Sequence, residues 1–439
     1  MRSRQSADAR FHRMSRDRES IDKGSSQAAG RSACSAPISL LQNPRRKHMK
    51  ATMHVPDEML AWILDSPGKL TLTRKKVPSL ASAEVLVRVD AVAICATDLE
   101  VIAHGRPAMV EGKLPFGSGF TPGHEYMGTV VAVAPDVNEF VPGDRVTGEV
   151  HAGCRRCRRC RQGMYTSCLN YGFPSKGHRA NGFSTDGAFA QYTVNNINTL
   201  CRVPDSMGDA EATLAVTAGT SLYGFDELGG VLAHEAVVIL GPGPIGLLAV
   251  GVAKALGAGP VILTGTRDSR LELGKQLGAD ATVNVTRDDP VEMVRKLTQG
   301  RMADMVMECS GAPEAVDQSV RMLSRGGKLC LAAFPAEPVP FDVGHLVRNN
   351  IYVYGIRGEG KSAVWRAIAL MEQRKFDARL IHSHTFAFEE LPQALHQVSN
   401  RLDDAIKVVV NVHETLHSSP IRKLRPSQAD DAASLRVAA

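Results

Sequence analysis

The apolar run Ala236-Val-Val-Ile-Leu240 ends in Gly241-Pro-Gly-Pro-Ile-Gly246 and continues as a helical stretch over residues 247–256. An apolar run of that length closed by glycine reads as a buried strand, and Gly-x-Gly-x-x-Gly between strand and helix is the dinucleotide-binding turn. Gly241, Gly243 and Gly246 allow a tight turn and a close approach of backbone to pyrophosphate, while the helix N-terminus offers N–H groups and positive dipole. A glycine-rich turn could serve another α/β sheet. The strand before it and the helix after it select the nucleotide reading.

The pattern around the turn predicts the rest of a doubly wound parallel sheet. Apolar strands at 236–240, 261–264, 305–309, 328–332 and 351–354 alternate with helical stretches, one of them at 363–373. Residues 59–203 read differently, as short β-rich runs at 61–64, 84–93, 128–133, 144–149 and 188–194 punctuated by Gly and Pro. A last strand at 405–412 is expected to return to that first domain. A chain of 439 residues exceeds the ~250 to 300 at which one core stops growing, so two domains are expected. The predicted division is an N-terminal extension 1–52, a catalytic domain 53–205, a cofactor domain 206–372, a returning segment 373–414 and a polar tail 415–439. The apolar run 236–264 is long enough to suggest a membrane span, but Pro242, Pro244, six glycines and Lys254 make it strand, turn, helix, strand.

Cys154, Cys157, Cys160 and Cys168 fall in the pattern C-x2-C-x2-C-x7-C, which presents four thiolates to one tetrahedral ion in a closed structural zinc site. Arg155, Arg156, Arg158, Arg159 and Arg161 flank them. They read as a solvated rim offsetting the tetrathiolate charge, because no recognition helix with a paired histidine motif follows. The net charge of +6 has the same kind of local origin. Residues 1–48 carry eleven Lys/Arg against four acids, so the remainder sums to −1 and is no polyanion binder. The Ser-, Arg- and Gly-rich leader reads as disordered or as a start placed too early, with Met49 and Met53 as alternative starts; it has no secretory apolar segment. Cys34, Cys201, Cys309 and Cys330 are expected as free thiols in a reducing, cytoplasmic compartment.

Two further groups carry chemistry. Cys95 follows a strand-like stretch, and Gly123-His124-Glu125 lies downstream; Cys, His and Glu are all competent zinc ligands, and three protein ligands leaving one open position is the catalytic arrangement. Roughly 20 residues after the glycine turn, where an acid would accept from the ribose hydroxyl of NAD, the chain has Gly265-Thr266-Arg267. Glycine makes room for a 2′-phosphate and Arg267 offers a charged partner, which favours NADP over NAD.

With these motifs in this order the chain resembles the zinc-containing medium-chain dehydrogenase/reductase family of alcohol, polyol and threonine dehydrogenases, over about residues 58–414. The resemblance implies a GroES-like β-rich catalytic domain beside a Rossmann domain, and two zinc ions per subunit. Cys95 and His124 match the catalytic ligands, Thr97 the hydroxyl that takes the alcohol proton, and Asp98 the carboxylate orienting the liganding histidine. The four clustered cysteines match the structural lobe. Two positions depart from the family pattern: Thr217 stands where alcohol dehydrogenases place a cysteine ligand, which makes Glu125 the third ligand, and Glu100 replaces a relay histidine. The proton then leaves through Glu100, His104, or ribose and water. The implied substrate is a secondary alcohol or polyol and its ketone, met by a loop over residues 103–121, in a homodimer or homotetramer that binds neither nucleic acid nor membrane. Threonine-type oxidation, a zinc-free quinone reductase and a zinc-dependent nucleic-acid binder are the alternatives.

Overall fold

Leu-Thr alternation with lysines gives β2 (Lys69–Lys76) one face toward the core and one toward solvent, and it forms an antiparallel hairpin with β1 (Glu58–Ser66). In β3 (Glu84–Ala93) nine of ten residues are buried. That burial makes it the central strand of the first domain, flanked by β4 (Glu125–Val133), later by β8 (Tyr192–Asn196), and by a strand from the far end of the chain. The computed structural model describes residues 54–105, 115–335, 337–360 and 362–413. The expected extensions at 1–52 and 415–439, Cys34 and the middle of the 103–121 loop lie outside them.

Helix α1 (Ala96–His104) follows β3, and β5 (Arg145–Gly148) continues the sheet to β9 (Leu200–Arg202). The two-stranded ladder of β6 (His151–Gly153) and β7 (Arg179–Ala180) brackets the cysteine lobe. Helix α2 (Asp209–Asp226) then joins the domains. Fifteen of its eighteen residues are buried, as expected of a helix apolar on every side. Val216 packs into the first core while Leu214, Ala218 and Leu222 pack into the second.

The second domain runs β10 (Val237–Leu240), α3 (Pro244–Ala255), β11 (Val261–Gly265), α4 (Asp268–Gln276), β12 (Ala281–Asn284), α5 (Pro290–Leu297), β13 (Ala303–Glu308), α6 (Pro313–Arg321), β14 (Leu323–Leu331), α7 (Val343–Asn349) and β15 (Tyr352–Gly355). Its sheet order is β12-β11-β10-β13-β14-β15, every neighbouring pair parallel. This is the Rossmann order, which opens a crevice where the winding reverses. The apolar run 236–264 is thus strand, turn, helix and strand, and no helix among the described residues is long and apolar enough to cross a membrane. After α8 (Ala363–Glu372) the chain returns through β16 (His382–Ala387) and α9 (Leu391–Ser399), and β17 (Lys407–Asn411) pairs antiparallel with β3.

The strand expected at 188–194 begins only at Tyr192. Upstream of it the backbone N–H groups of Ala188, Phe189 and Gln191 go to Gly123, Pro122 and Leu60, so this segment clasps the Gly-His-Glu turn instead of extending the ladder.

Candidate active site and metal centres

The ligand atoms of Cys154, Cys157, Cys160 and Cys168 lie within 4.8 Å of one another. Backbone N–H groups aim at the sulfurs: Cys157 N lies 3.4 Å from Cys154 Sγ, Cys160 N 3.5 Å from Cys157 Sγ, and Asn170 N 3.3 Å from Cys168 Sγ. Burial raises the Cys154 thiol, but N–H donors from Arg156 and Cys157 and the Asn170 amide outweigh it and bring the thiol down to about 6. Burial drives Cys160 and Cys168 upward. Four sulfurs this close cannot all ionise unaided, and a divalent cation removes that conflict. The donor set fits zinc. Gly153 is required beside it, because it has φ of +61° and a Cβ there would stand 2.6 Å from Cys160 Sγ.

Cys95, His124 and Glu125 form the second cluster, again with ligand atoms within 4.8 Å of one another. Cys95 caps α1, Glu125 opens β4 and His124 immediately precedes it, so the ends of two adjacent elements assemble the site. Asp98 ties them together: Oδ2 accepts from Cys95 N at 2.9 Å, and Oδ1 stands 2.9 Å from His124 Nδ1. With Nδ1 committed to Asp98, Nε2 of His124 is the nitrogen left for a metal. Burial lowers the His124 imidazole, but the adjacent Asp98 charge lifts it well above its ordinary value. Thr97 Oγ1 lies 3.7 Å from Cys95 Sγ. Glu100 and His104 are on the exposed face of α1, and no described contact joins Glu100 to the cluster.

Glu125 is gripped on both oxygens. Thr217 Oγ1 donates to Oε1 at 3.1 Å, and the Lys407 ammonium pairs with Oε2. Lys407 is buried; desolvation lowers its pKa, and the Glu125 charge overcomes this and raises it. Sequence reading missed Lys407. The signal was a single lysine inside the apolar strand Lys407–Asn411, since a buried charge requires a partner. It also missed a buried pair between the domains. Glu359 accepts from Val150 N at 3.2 Å and Thr220 Oγ1 at 3.1 Å. Burial, then the nearby Glu359 charge, pushes Glu149 up to about 8, and burial pushes Glu359 up to about 7.

The glycines of the nucleotide turn have separate functions. Gly241 has φ of +95°, a Cβ on Gly243 would meet nothing within 4 Å, and one on Gly246 would sit 2.0 Å from Gly241 O. The open side at Gly243, which caps α3, is where a phosphate can reach the helix N-terminus. Gly265 has a packing reason that sequence reading did not contain: a Cβ there would stand 2.5 Å from Pro242 Cδ. Thr266 is exposed beside it, and Arg267 Nη1 donates to Asp404 Oδ1 at 3.0 Å.

A two-domain chain with a dinucleotide turn and two such ligand clusters defines a metal-dependent dehydrogenase architecture, and the relatives agree. Residues 81–205 match the alcohol dehydrogenase GroES-like domain and residues 244–373 the zinc-binding dehydrogenase domain. Similar proteins include a sorbitol dehydrogenase of Bacillus subtilis (strain 168), 29% identical over 82% of this chain and 99% of that protein. An L-threonine 3-dehydrogenase of Pyrococcus horikoshii is 33% identical over 77% of this chain and 94% of that one. A zinc-binding dehydrogenase of Sinorhizobium meliloti 1021, solved bound to NADP, superposes with a TM-score of 0.72 at 28% identity, covering 81% of this chain and all of that one. The chain belongs to the zinc-containing medium-chain dehydrogenase/reductase family and is a nicotinamide-dependent enzyme acting on CH–OH donors.

Proposed function

We propose that this protein interconverts a secondary alcohol or polyol and its ketone, with NADP(H) preferred over NAD(H), and that it holds one structural and one catalytic zinc ion per subunit. The observation that carries this reading is the convergence of Cys95, His124 and Glu125 with Asp98 behind the histidine. Those three residues would hold the catalytic ion, which when bound supplies Lewis acidity that lowers the alcohol pKa. Thr97 stands beside Cys95 to take the hydroxyl proton. Glu100 and His104 lie farther out on the exposed face of α1, so the proton reaches either of them, or solvent, through water or the cofactor ribose. A nicotinamide cofactor held at Gly241, Gly243 and Gly246 would supply the hydride acceptor for the carbinol carbon.

The NADP preference rests on Gly265, Thr266 and Arg267 and is supported by the NADP-bound relative. Arg267→Ala should lower NADP efficiency by roughly 10- to 100-fold while changing NAD-linked turnover little, in steady-state kinetics with both cofactors. A wild-type enzyme preferring NAD would overturn the preference. A second reading, oxidation of a threonine-like amino alcohol, is favoured by the L-threonine 3-dehydrogenases among the relatives. A panel of polyols, simple secondary alcohols and β-hydroxy amino acids, followed by nicotinamide absorbance, separates the two.

The reading includes a homodimer or homotetramer. β15 ends the parallel sheet, and Tyr352, Val353, Val343 and Val347 on and beside it are exposed, which suits edge-to-edge pairing with a second copy. It also includes a reducing, cytoplasmic location, supported by the unpaired thiols of Cys201, Cys309 and Cys330.

A further inference from the structure

Arg267, the residue read above as the partner of the 2′-phosphate, already has an anion. Asp404 Oδ1 accepts from Arg267 Nη1 at 3.0 Å and from Arg270 Nε at 2.9 Å, and Asp404 Oδ2 accepts from Ser269 Oγ at 2.6 Å. Arg270 also donates through Nη2 to Ala405 O at 2.6 Å. The carboxylate comes from the other domain, in the segment between α9 and β17, and gathers three donors from the start of α4. Such a convergence of guanidinium and hydroxyl donors on two oxygens is the pattern used to hold a phosphate.

The backbone carrying Asp404 is strained. Arg401, Asp403 and Asp404 have φ of 52°, 49° and 54°, left-handed values that L side chains avoid. Such a conformation persists where surrounding contacts enforce it: Gln397 holds Leu402 and Asp403 from α9, and Arg267, Ser269 and Arg270 hold Asp404. Burial raises the Asp404 pKa, but hydrogen bonds from Ser269 and Arg270 outweigh it, so the carboxyl sits below its ordinary value and is ionised at neutral pH. Meanwhile the end of β11, where an NAD-binding chain places its acid, has Gly265 packed on Pro242, and the next acid, Asp268, is held by Arg287 and Asn284.

We propose that Asp404 is the cofactor-selecting acid of this enzyme: supplied by the catalytic domain, it competes with the 2′-phosphate for Arg267 and so sets how strongly NADP is preferred. This rests on Arg267 facing the 2′-phosphate. A 2′-phosphate must displace the Asp404 carboxylate to reach Arg267, whereas a bare ribose need not. Asp404 therefore moderates a preference that Gly265, Thr266 and Arg267 would otherwise make stronger.

The test is calorimetric binding of 2′,5′-ADP and 5′-AMP to the full-length, zinc-loaded protein and to Asp404→Asn, Arg267→Ala and the double variant. Both partners are about a third exposed, so the ion pair is of modest strength. Asp404→Asn should raise the ratio of 2′,5′-ADP to 5′-AMP affinity roughly fivefold, and Arg267→Ala should abolish that gain. If Asp404→Asn leaves the ratio unchanged, with both nucleotides shifting together, Asp404 is a tether between domains and the inference is overturned; a lower ratio in Arg267→Ala would then still uphold Arg267. If the ratio rises in Asp404→Asn and stays raised in the double variant, Asp404 acts by repelling the phosphate, and it is the Arg267 reading that fails.

Discussion

Glu125 has two partners before any metal arrives, and this sets what its replacement should do. Glu125→Gln keeps a hydrogen-bond acceptor for Thr217 but leaves the Lys407 ammonium buried without its counter-charge. Breaking a buried pair from one side costs about 3 to 5 kcal/mol, so the variant should be less stable as well as less active. Zinc retention against a chelator and turnover should each fall by roughly 10- to 100-fold, the scale of damage that changes around a metal ligand produce. Thr217→Ala removes one neutral donor and should cost less than tenfold on both measures. The reverse ranking would move the third-ligand role away from Glu125. Cys95, His124 and Glu125 were legible in the sequence because their types and order are those of zinc ligands. Lys407 was not: it lies 313 residues from Ile94, whose carbonyl it also faces, and no local spacing encodes that meeting.

At the scale of elements, the segment between β15 and α8 closes the first domain onto the second. Arg357 lies over the Tyr171 ring at 4.0 Å, a Cβ on Gly358 would stand 3.2 Å from His151 Nδ1, and Glu359 bonds Val150 and Thr220. Glu149 and Glu359 stay protonated up to about 8 and about 7, against an ordinary glutamate value of 4.5. These two carboxyls hold protons in the folded chain that they lose in the unfolded one between roughly pH 5 and 8, so their contribution to stability falls as pH rises through that window. His151, His178, His382 and His413, held below their ordinary value, act the other way below about pH 6.5. Glu359→Gln should flatten the fall in Tm measured across it; a slope as steep as the wild type's would place the titrating group elsewhere. The lobe is a separate element with a separate prediction. Cys157→Ser should release one zinc and lower Tm, whereas Cys95→Ser should abolish turnover with Tm nearly kept, read by metal analysis and thermal melts. A single tightly bound zinc in active wild type would contradict two sites. Elements with long apolar runs, such as β10 and β13, were legible in the sequence. The half-exposed β2, with lysine and arginine on its outer face, and the four-residue edge strand β12 were not, since neither carries enough apolar periodicity to stand above its surroundings.

For the whole molecule, the exposed edge at β15 makes assembly testable. Val353→Lys puts a charge on an exposed edge position and should shift the protein toward monomers in sedimentation or light scattering while Tm of the monomer changes little. A wild type that is already monomeric would overturn the proposed assembly, and an unchanged oligomer would assign its interface to another face. The two-domain plan was readable from the change of pattern near residue 205, but not the closeness of the domains, which depends on α2 serving both cores and on side chains such as Glu359 meeting across the junction.

The pairing of β17 with β3 also dictates an order of events during synthesis. Cys95, His124 and the whole parallel sheet precede Lys407 in the chain, so they leave the ribosome before the strand that completes the first domain. Until that strand docks, Glu125 has no ammonium beside it and the ligand cluster sits at an open seam. A chain that stops short of residue 407 would therefore leave Glu125 without its counter-charge and Cys95, the one thiol of that cluster, beside an unpaired edge of β3.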